Sequence, residues 1–333
     1  MIKLQGKKIG AIIPVPVTIC GHEYYIMSKR QIPTMHIVHI PATSANLGPG
    51  FDCLGLALDI WNHIHVEVSA SFEPGLQFNA SGEGTGLLNG STDNLLTRSF
   101  LHLFEICGQK VPPAVKIFTE NSIPLSSGLG SSAAAIVGGL AAANALLGNP
   151  LTETKLLKVA TALEGHPDNV APALMGGLVA SVCRGPEIIA RRFDLPPLTL
   201  VIVKPDVDLP TKVARSVLPE SVSRTDAVFN IGRAVLVTEA LRSGDLSLLA
   251  QVMEDKIHQP YRLRHIPGGE AAYLAAQSCG AAALSGAGPS IVAFVEPAAA
   301  EKARGLMMTA FGEAGVGCRA FVTHPSQKGV WTE

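Results

Sequence analysis

The sequence predicts a protein of mixed α-helices and β-strands that is divided into two domains. Its 333 residues exceed the usual size of one domain, and 47% of them are hydrophobic while 16% are charged. Strand-like and helix-like patterns alternate along the chain. A polar segment with two adjacent prolines, RRFDLPPLTL (191–200), interrupts them. Because such a segment cannot continue a helix and precedes a new strand, we predict the domain boundary near residue 195.

Four stretches have the patterns of β-strands. HIHVEVSA (63–70) alternates apolar and polar residues, as a half-buried strand does. LTLVIVKP (198–205) is almost continuously apolar, which is typical of a central strand. AVKIFTE (114–120) and PSIVAFVEP (289–297) are further candidates.

Two stretches have the patterns of helices. Ala133–Leu147 is rich in alanine and contains Asn144, which indicates a buried helix of a globular protein rather than a membrane span. A second helix begins after Thr152, a suitable N-cap residue, and should end near Gly165. Its apolar stripe consists of Leu156, Leu157, Ala160 and Leu163.

Charge and cysteine usage argue against several classes of protein. The formal net charge is −1 and no long basic run occurs, so we expect neither nucleic acid nor a membrane as partner. The six cysteines are scattered without a C-x-x-C pair, and H-E-x-x-H is absent. This pattern favours free thiols, a cytoplasmic location and no transition-metal site.

Residues 1–34 form an N-terminal extension of unknown role. KKIGAIIPVPVTIC (7–20) places two lysines before an apolar stretch, as in a secretory signal peptide. Two prolines interrupt it and no small-residue cleavage site follows, so we favour an accessory segment over a leader. We expect the first strand of the folded protein to begin near His36.

A glycine- and serine-rich loop, PLSSGLGSSAAA (124–135), leads directly into the alanine-rich helix. Glycines allow backbone N–H groups to approach a ligand, and the first turn of a helix has further unpaired N–H groups. The combination is suited to an anion such as a phosphate. The alternative is an ordinary loop before a serine-capped helix, and the lysine of a P-loop is absent.

Five segments resemble those of the GHMP kinases, the family named for galactokinase, homoserine kinase, mevalonate kinase and phosphomevalonate kinase. They follow one another along the chain in the order that is typical of the family. PLSSGLGSSAA (124–134) resembles their phosphate-binding loop and LSGAGPSIVAF (284–294) their third motif. PATSANLGPGFDCLGLAL (41–58), EGHPDNVAPALMGG (164–177) and HQPYRLRHIPG (258–268) are similar to segments of the homoserine kinase branch.

The resemblance implies an α+β fold of two domains with the active site between them. Residues 35–195 would form an ATP-binding domain like the second domain of ribosomal protein S5. Residues 196–333 would form a ferredoxin-like C-terminal domain.

The resemblance also implies how ATP and Mg²⁺ would be bound. Gly128, Leu129, Gly130 and Ser131 would wrap the phosphates through their N–H groups. Ser132 and Glu164 would be the ligands of Mg²⁺; the alternative for Glu164 is a solvated carboxylate at a helix end. The whole ATP-binding segment comprises Pro124, Leu125, Ser126, Ser127, Gly128, Leu129, Gly130, Ser131, Ser132, Ala133 and Ala134.

Asn169 stands where other family members have an aspartate that acts as general base, and homoserine kinases have asparagine there. An amide can orient the substrate hydroxyl but cannot accept its proton at neutral pH. We therefore expect Ser132, Glu164 and Asn169 to support catalysis by positioning and charge neutralisation, without a protein base.

The resemblance assigns a second group of residues to an amino-acid substrate. Arginine forks suit a carboxylate and Asp52 suits an ammonium group. The alternatives are surface arginines at Arg215 and Arg262, and simple turn residues at Asn46 and Asp52. The group comprises Asn46, Asp52, Asn169, Thr211, Arg215, Arg262 and Gly286.

The implied activity is transfer of a phosphoryl group from ATP to the side-chain hydroxyl of L-homoserine, a step of threonine biosynthesis. A family member acting on another small alcohol, or a catalytically silent nucleotide-binding protein, are the alternatives. The sequence leaves a homodimer open.

Overall fold

The structure of the chain, a computed structural model, describes residues 34–333 and the backbone of residues 12–19 and 22–29. The strands are β1 (Ile12–Ile19), β2 (His22–Lys29), β3 (Thr34–Ala45), β4 (Leu54–Val68), β5 (Gly75–Gly82), β6 (Ala114–Asn121), β7 (Leu178–Arg184), β8 (Glu187–Phe193), β9 (Thr199–Pro205), β10 (Ala281–Leu284), β11 (Ile291–Val295), β12 (Cys318–Thr323) and β13 (Trp331–Thr332). The helices are α1 (Thr85–Leu88), α2 (Leu95–Ile106), α3 (Ser131–Leu146), α4 (Glu153–Glu164), α5 (Pro167–Met175), α6 (Thr211–Ser216), α7 (Arg224–Ser243), α8 (Leu246–Val252), α9 (Gln259–Leu263), α10 (Gly269–Gln277) and α11 (Ala300–Glu313).

The first of two main sheets has seven strands. Its central path is β13-β3-β4-β6-β5, and β7 extends it by pairing with both β4 and β8. β5 and β6 run parallel, while the other pairs are antiparallel. The two residues of β13 bring the C-terminal end of the chain back to the edge of β3.

Helix α3 lies at the centre of this half of the molecule, and its small residues explain how. Twelve of its residues are buried. A side chain at Gly139 would collide with the backbone of Leu96 in α2, and one at Gly138 would collide with Ile64 in β4. The alanine- and glycine-rich sequence therefore allows a helix and a strand to approach α3 closely from two directions.

The second main sheet has four antiparallel strands in the order β10-β11-β9-β12. Numbered along the chain, these strands have the spatial order 2-3-1-4, with helices between the first and second and between the third and fourth. This is the split β-α-β arrangement of a ferredoxin-like domain, so the predicted two-part α+β fold is confirmed.

Both faces of the second sheet are buried. Leu200 and Ile202 of β9 belong to the larger hydrophobic core, which continues into the first sheet. Val201 and Val203 belong to a smaller core beneath α10 and α11. The uninterrupted apolar run of this strand thus serves two cores, and one of them joins the two halves of the chain.

The four predicted strands and the buried alanine-rich helix are confirmed. The other predicted helix is α4, with Thr152 at its N-cap and Gly165 at its C-cap as predicted, although the Thr152 side chain makes no capping hydrogen bond. One detail is wrong: Leu163 is exposed rather than part of the buried stripe. The predicted boundary near 195 lies between β8 and β9. Dividing the chain at residue 195 assigns β13 to the second half, although β13 pairs with β3 in the first sheet.

Of the predicted extension, residues 1–34, the structure describes Thr34 and the backbone of residues 12–19 and 22–29; residues 1–11, 20–21 and 30–33 lie outside the description. The structure gives it an antiparallel pair of strands, β1 with β2, and Cys20 falls between them outside the description. Elsewhere β3 begins at Thr34, two residues before the predicted start. In the part of the chain that is described, no helix is both long and apolar enough to cross a membrane.

Candidate active site

A cleft of about 780 Å³ lies where the glycine loop meets residues of the C-terminal half. The start of α3, the start of α5 and the β3–β4 loop contribute from the first half. The start of α6, α9 and the β10–β11 loop contribute from the second. Of the sequence-predicted site residues, the cleft is lined by Asn46, Asp52, Ser126, Ser127, Gly128, Gly130, Ser131, Ser132, Glu164, Asn169, Thr211, Arg215, Arg262 and Gly286.

The glycine loop needs its glycines for both conformation and space. Gly128 and Gly130 have φ angles of +77° and +71°, which disfavour other residues. A Cβ at Gly128 would collide with the carbonyl of Ser285, and one at Gly130 with the hydroxyl of Thr43. The glycine loop therefore packs closely against β3 on one side and the β10–β11 loop on the other.

Backbone N–H groups at the end of this loop are available to a ligand. α3 begins at Ser131, so the N–H groups of its first turn have no helical partners. Leu129 differs, because its N–H donates to the Ser127 hydroxyl at 3.2 Å. Leu129 itself is buried, as are Pro124, Ala133 and Ala134, while Leu125 is half-buried.

Ser132 and Glu164, predicted as a pair of ligands, are in contact. The Ser132 hydroxyl donates to Glu164 Oε2 at 2.6 Å. Burial raises the pKa of Glu164, and the hydrogen bond from Ser132 offsets part of that effect. A half-buried carboxylate beside a hydroxyl, at the start of a helix, places two hard oxygen donors next to the anion-binding loop.

Asn169 is fixed at both ends of its amide. Its Oδ1 accepts from the Thr43 hydroxyl at 2.9 Å, and its Nδ2 donates to Asp168 Oδ1 at 3.4 Å. Asp168 is buried and also pairs with His166 Nδ1 at 2.7 Å. Burial lowers the pKa of His166, but the hydrogen bond and charge of Asp168 outweigh it and the net shift is upward.

Asp52 and Arg215 form a two-pronged ion pair across the cleft. The guanidinium donates to both carboxylate oxygens, at 3.1 and 2.8 Å. Asn46 accepts from the Asp52 N–H at 3.0 Å and donates to the carbonyl of Gly286 at 2.8 Å. Two residues that the sequence assigned to opposite ends of a zwitterion therefore neutralise each other here.

Arg262 is almost fully buried, so its guanidinium is not a surface group. It donates to the carbonyls of Ala214 and Gly286, at 2.9 and 3.2 Å. Burial, and then the charge of Arg215, lower the pKa of Arg262 to about 10. The side chain stays protonated at neutral pH and gives the cleft a fixed positive charge.

A buried network behind the cleft, which the sequence did not predict, holds Arg262 and the β3–β4 loop together. His258 donates from Nε2 to the Gly48 carbonyl at 2.8 Å, and its Nδ1 accepts from Arg262 at 3.3 Å. Asp255 accepts from the N–H groups of His258 and Gln259 at 2.8 and 2.6 Å. Burial lowers the pKa of His258, consistent with a neutral ring in these two roles.

Comparison with known proteins decides the family. The GHMP kinases N terminal domain model matches residues 94–177, and the GHMP kinases C terminal model matches residues 237–312. The chain is 45% identical over 298 residues to the homoserine kinase of Moorella thermoacetica, covering 89% of this chain and 99% of that protein. It belongs to the GHMP kinase family.

Solved structures agree with this assignment. A homoserine kinase from Cytophaga hutchinsonii superposes with a TM-score of 0.80 at 32% identity, covering 90% of this chain and 97% of the other. A mevalonate kinase superposes with a TM-score of 0.61 at 14% identity, which reflects the shared fold. By sequence alone, the homoserine kinase of a Synechococcus strain is a second similar protein, 44% identical over 300 residues, covering 89% of this chain and 97% of that protein.

This GHMP kinase has a second cavity, of about 840 Å³, on the other side of the glycine loop. It shares Ser126, Ser131 and Ser132 with the first cleft. Its walls are mostly apolar, and the buried hydroxyl of Thr119 has no hydrogen-bond partner within the described residues. The cavity offers apolar walls and a few polar groups beside the anion-binding loop.

Four residues of the cleft and of the network behind it were not predicted from the sequence as site residues. His166 and Asp168 lie inside a segment that had been singled out, and two ionisable residues flanking a proline were the available signal. Thr43 and His258 also lie inside segments that had been singled out, 41–58 and 258–268, but nothing local in the sequence indicates their partners. Their hydrogen bonds reach across 126 and 210 residues of sequence, so only the fold brings the partners together.

Proposed function

We propose that this GHMP kinase transfers the γ-phosphoryl group of ATP to the side-chain hydroxyl of L-homoserine, giving O-phospho-L-homoserine. The observation that carries the proposal is one cleft in which a glycine loop with unpaired N–H groups faces Asn169, Asp52 and two arginines. Relatives that cover nearly the whole chain at 45% and 44% identity are homoserine kinases. A cytoplasmic role in threonine biosynthesis fits this activity.

ATP would lie across the glycine loop. The unpaired N–H groups of Gly128, Gly130 and Ser131 would hold its phosphates, and the positive end of α3 adds to the attraction. The apolar cavity beyond the loop would accept the base, since flat aromatic rings suit such walls. The N–H group of Leu129 already donates to the Ser127 hydroxyl, so we assign Leu129 a role in the shape of the loop rather than in phosphate binding.

Ser132 and Glu164 fit the needs of Mg²⁺. This ion takes one or two protein oxygens and completes its shell with water and substrate phosphates. Among the side chains of residues 34–333, no cluster of three His, Cys, Asp or Glu residues could hold a metal. When bound, Mg²⁺ would neutralise charge that develops on the phosphates.

Asn169 would orient the attacking hydroxyl. Thr43 and Asp168 hold the two ends of its amide, so the group is pre-set before the substrate arrives. The amide cannot take up a proton at neutral pH, so Asn169 would orient the hydroxyl without acting as its base. Catalysis in this cleft would rest on alignment of the hydroxyl with the phosphate and on charge stabilisation.

The zwitterion of homoserine matches the Asp52–Arg215 pair together with Arg262. An ammonium group can bind Asp52 while a carboxylate binds the arginines, so that the substrate inserts into an existing ion pair. Thr211, at the exposed N-terminus of α6, lies in the same wall. An alcohol without both charges would leave part of this arrangement unpaired, which disfavours its binding.

An ADP-release assay tests the proposal. We expect turnover on L-homoserine well above that on mevalonate, galactose or shikimate, with dependence on Mg²⁺. Preference for another alcohol would identify a different member of the family. Binding of ATP with turnover on none of the four would favour a silent nucleotide-binding protein.

A further inference from the structure

Phe51 is an aromatic residue beside the cleft whose neighbours are charged rather than apolar. It lies between Gly50 and Asp52 in the β3–β4 loop. Its ring is half-buried, yet it belongs to neither of the two hydrophobic cores of the described chain. Packing in a core, the usual role of a large aromatic side chain, therefore does not account for Phe51.

Two guanidinium groups lie near the Phe51 ring. The Cζ atom of Arg262 is 5.2 Å from the ring centroid, and that of Arg215 is 5.8 Å from it. Both distances are within the range of about 6 Å in which a cation is attracted to an aromatic ring. His258 stacks on the same ring, with centroids 5.2 Å apart and planes inclined by 24°. One ring thus connects the arginine of α6 with the arginine of α9.

The two arginines need a stabilising neighbour because their positive charges repel each other. The charge of Arg215 adds to the effect of burial in lowering the pKa of Arg262. Arg215 pairs with the carboxylate of Asp52. The hydrogen-bond acceptors of Arg262 are instead two backbone carbonyls and the His258 ring, all of them neutral.

An aromatic ring can stabilise a cation without occupying its N–H groups. The hydrogen bonds of Arg262 come from Nε and Nη1, so within the described residues its Nη2 has no acceptor. This donor belongs to a side chain that lines the cleft. A carboxylate at position 51 would also stabilise the arginine, but it would compete with a carboxylate of the substrate.

The loop that carries Phe51 is fixed by contacts from the C-terminal half. His258 donates to the carbonyl of Gly48 at 2.8 Å, and Asn230 of α7 donates to the carbonyl of Pro49 at 3.3 Å. The backbone next to Phe51 is therefore held in place without a ligand. Such preorganisation reduces the cost of ordering side chains when a ligand binds.

We propose that Phe51 is a positioning residue that holds Arg215 and Arg262 where both can bind one carboxylate of the substrate. This inference rests on the proposed function, because it requires an amino-acid substrate. The ammonium group of homoserine would bind Asp52, and the two guanidinium groups released or available in the cleft would bind its carboxylate. Phe51 would thereby favour alcohols that carry a carboxylate over alcohols that lack one.

Steady-state kinetics of the full chain test the proposal. Phe51→Leu keeps an apolar side chain but has no π system, so KM for L-homoserine should rise about 5- to 30-fold, as expected from the loss of two cation–π contacts. The values of kcat and of KM for ATP should stay within about threefold of the parent protein. Phe51→Tyr keeps the ring and should have a KM for homoserine close to that of the parent.

Two inhibitors separate the two charges of the substrate. γ-Hydroxybutyrate has the hydroxyl and the carboxylate of homoserine but lacks the ammonium group, whereas propanolamine lacks the carboxylate. Measured against homoserine, the inhibition constant of γ-hydroxybutyrate should rise in Phe51→Leu by about the same factor as KM. The inhibition constant of propanolamine should not change.

Phe229→Leu is the matched control, because it removes the same kind of contact outside the cleft. The Phe229 ring lies 3.4 Å from Cζ of Arg233 and 4.4 Å from Nζ of Lys256. Its loss should leave KM for homoserine unchanged. Melting temperatures of all three variants show whether they are folded.

Four results would overturn the proposal. An unchanged KM in a folded Phe51→Leu, with a parent protein that phosphorylates homoserine, would reject the role of Phe51 and leave the proposed function intact. Equal increases of KM in Phe51→Leu and Phe51→Tyr would show that the aromatic ring is not the cause. Equal weakening of both inhibitors would indicate a general disturbance of the cleft. A parent protein that does not phosphorylate homoserine would overturn the proposed function, and this inference with it.

Discussion

Glu164 and Ser132 are in direct contact, and this contact supports the proposal that they bind Mg²⁺. The carboxylate is half-buried and its pKa is raised by burial, so its charge is costly unless a positive partner is bound. The Ser132 hydroxyl donates to Oε2, one of the two carboxylate oxygens. The alternative that the sequence had left open, a solvated helix-end carboxylate, does not describe this environment.

We predict that Glu164→Gln lowers kcat by about 100-fold or more, because the hydrogen bond can survive while the negative charge is lost. Ser132→Ala should act in the same direction. Stopped assays over a range of Mg²⁺ concentrations measure the effect. Glu153→Gln, at the exposed start of the same helix, is the control. A normal kcat and Mg²⁺ dependence in Glu164→Gln would exclude this residue from the metal site.

Asp52 and Arg215 lead to a second prediction, about substrate binding. Arg215→Ala should raise KM for homoserine roughly 10- to 100-fold with little effect on KM for ATP, since a charge-assisted hydrogen bond contributes about 1.5–3 kcal/mol. Asp52→Asn should do the same through the ammonium group. Arg98→Ala, which breaks an exposed ion pair far along the chain, is the control.

The pairing of these two residues makes a double-mutant cycle informative. Because each neutralises the other in the structure, the double variant should lose less than the sum of the single losses. Strict additivity, or equal losses on an analogue without the carboxylate, would indicate that the pair supports the fold rather than the substrate.

Single residues also mark the limits of sequence analysis. Asn46 and Asp52 were expected as ligands or as turn residues, and they have both properties: each has a positive φ and each lines the cleft. Arg262 is buried, contrary to the usual place of an arginine. His258 could not be predicted, because its importance comes from contacts with Gly48 that exist only after folding.

At the scale of elements, local patterns predicted the long strands and α3 but not the short elements. Continuous apolar runs in the sequence indicate β9 and α3, because each element is buried on nearly all sides. β13 has two residues and depends on an edge of β3 that is far away in sequence. Its position follows from long-range pairing, which no local period encodes.

The two ends of α3 provide a test of the glycine loop. Gly130 precedes the helix and Gly148 follows it, with φ angles of +71° and +78°. Alanine at either position should cost about 1 kcal/mol of stability from backbone strain. Only Gly130→Ala also drives a Cβ into Thr43, while Gly148 faces open space. We therefore predict that Gly130→Ala loses most of its kcat and Gly148→Ala keeps it.

Melting temperature and ATP titration of both variants would separate the two effects. If steric crowding displaces Thr43 and Asn169, Gly130→Ala should have the lower melting temperature of the two variants and should lose its activity while still folded. Equal activity in the two variants would show that the loop tolerates a side chain and that its glycines serve conformation alone.

At the scale of the whole molecule, the two halves of the chain are joined by a common core. Residues of β9 and β11 contribute one face to the core beneath the first sheet and the other to the core under α10 and α11. Composition and the order of the motifs correctly predicted an α+β fold of two domains. The shared core and the returning C-terminus could not be predicted, because both result from how the two halves pack.

The two ends of the described chain should contribute unequally to stability. A protein that starts at Met35 loses β1 and β2, which pair with each other, and only the first residue of β3. Its kcat should therefore stay within a few-fold and its melting temperature nearly unchanged. Removal of Val330–Glu333 should instead lower the melting temperature by roughly 5 °C or more, because the edge of β3 loses its partner strand. That strand exchanges two backbone hydrogen bonds, at 2.9 and 3.0 Å, between Ile37 and Glu333. It also stacks Trp331 on His39 with ring centroids 3.8 Å apart. Scanning calorimetry measures both effects, and a large loss of stability on starting at Met35 would mean that the N-terminal segment is part of the folded core.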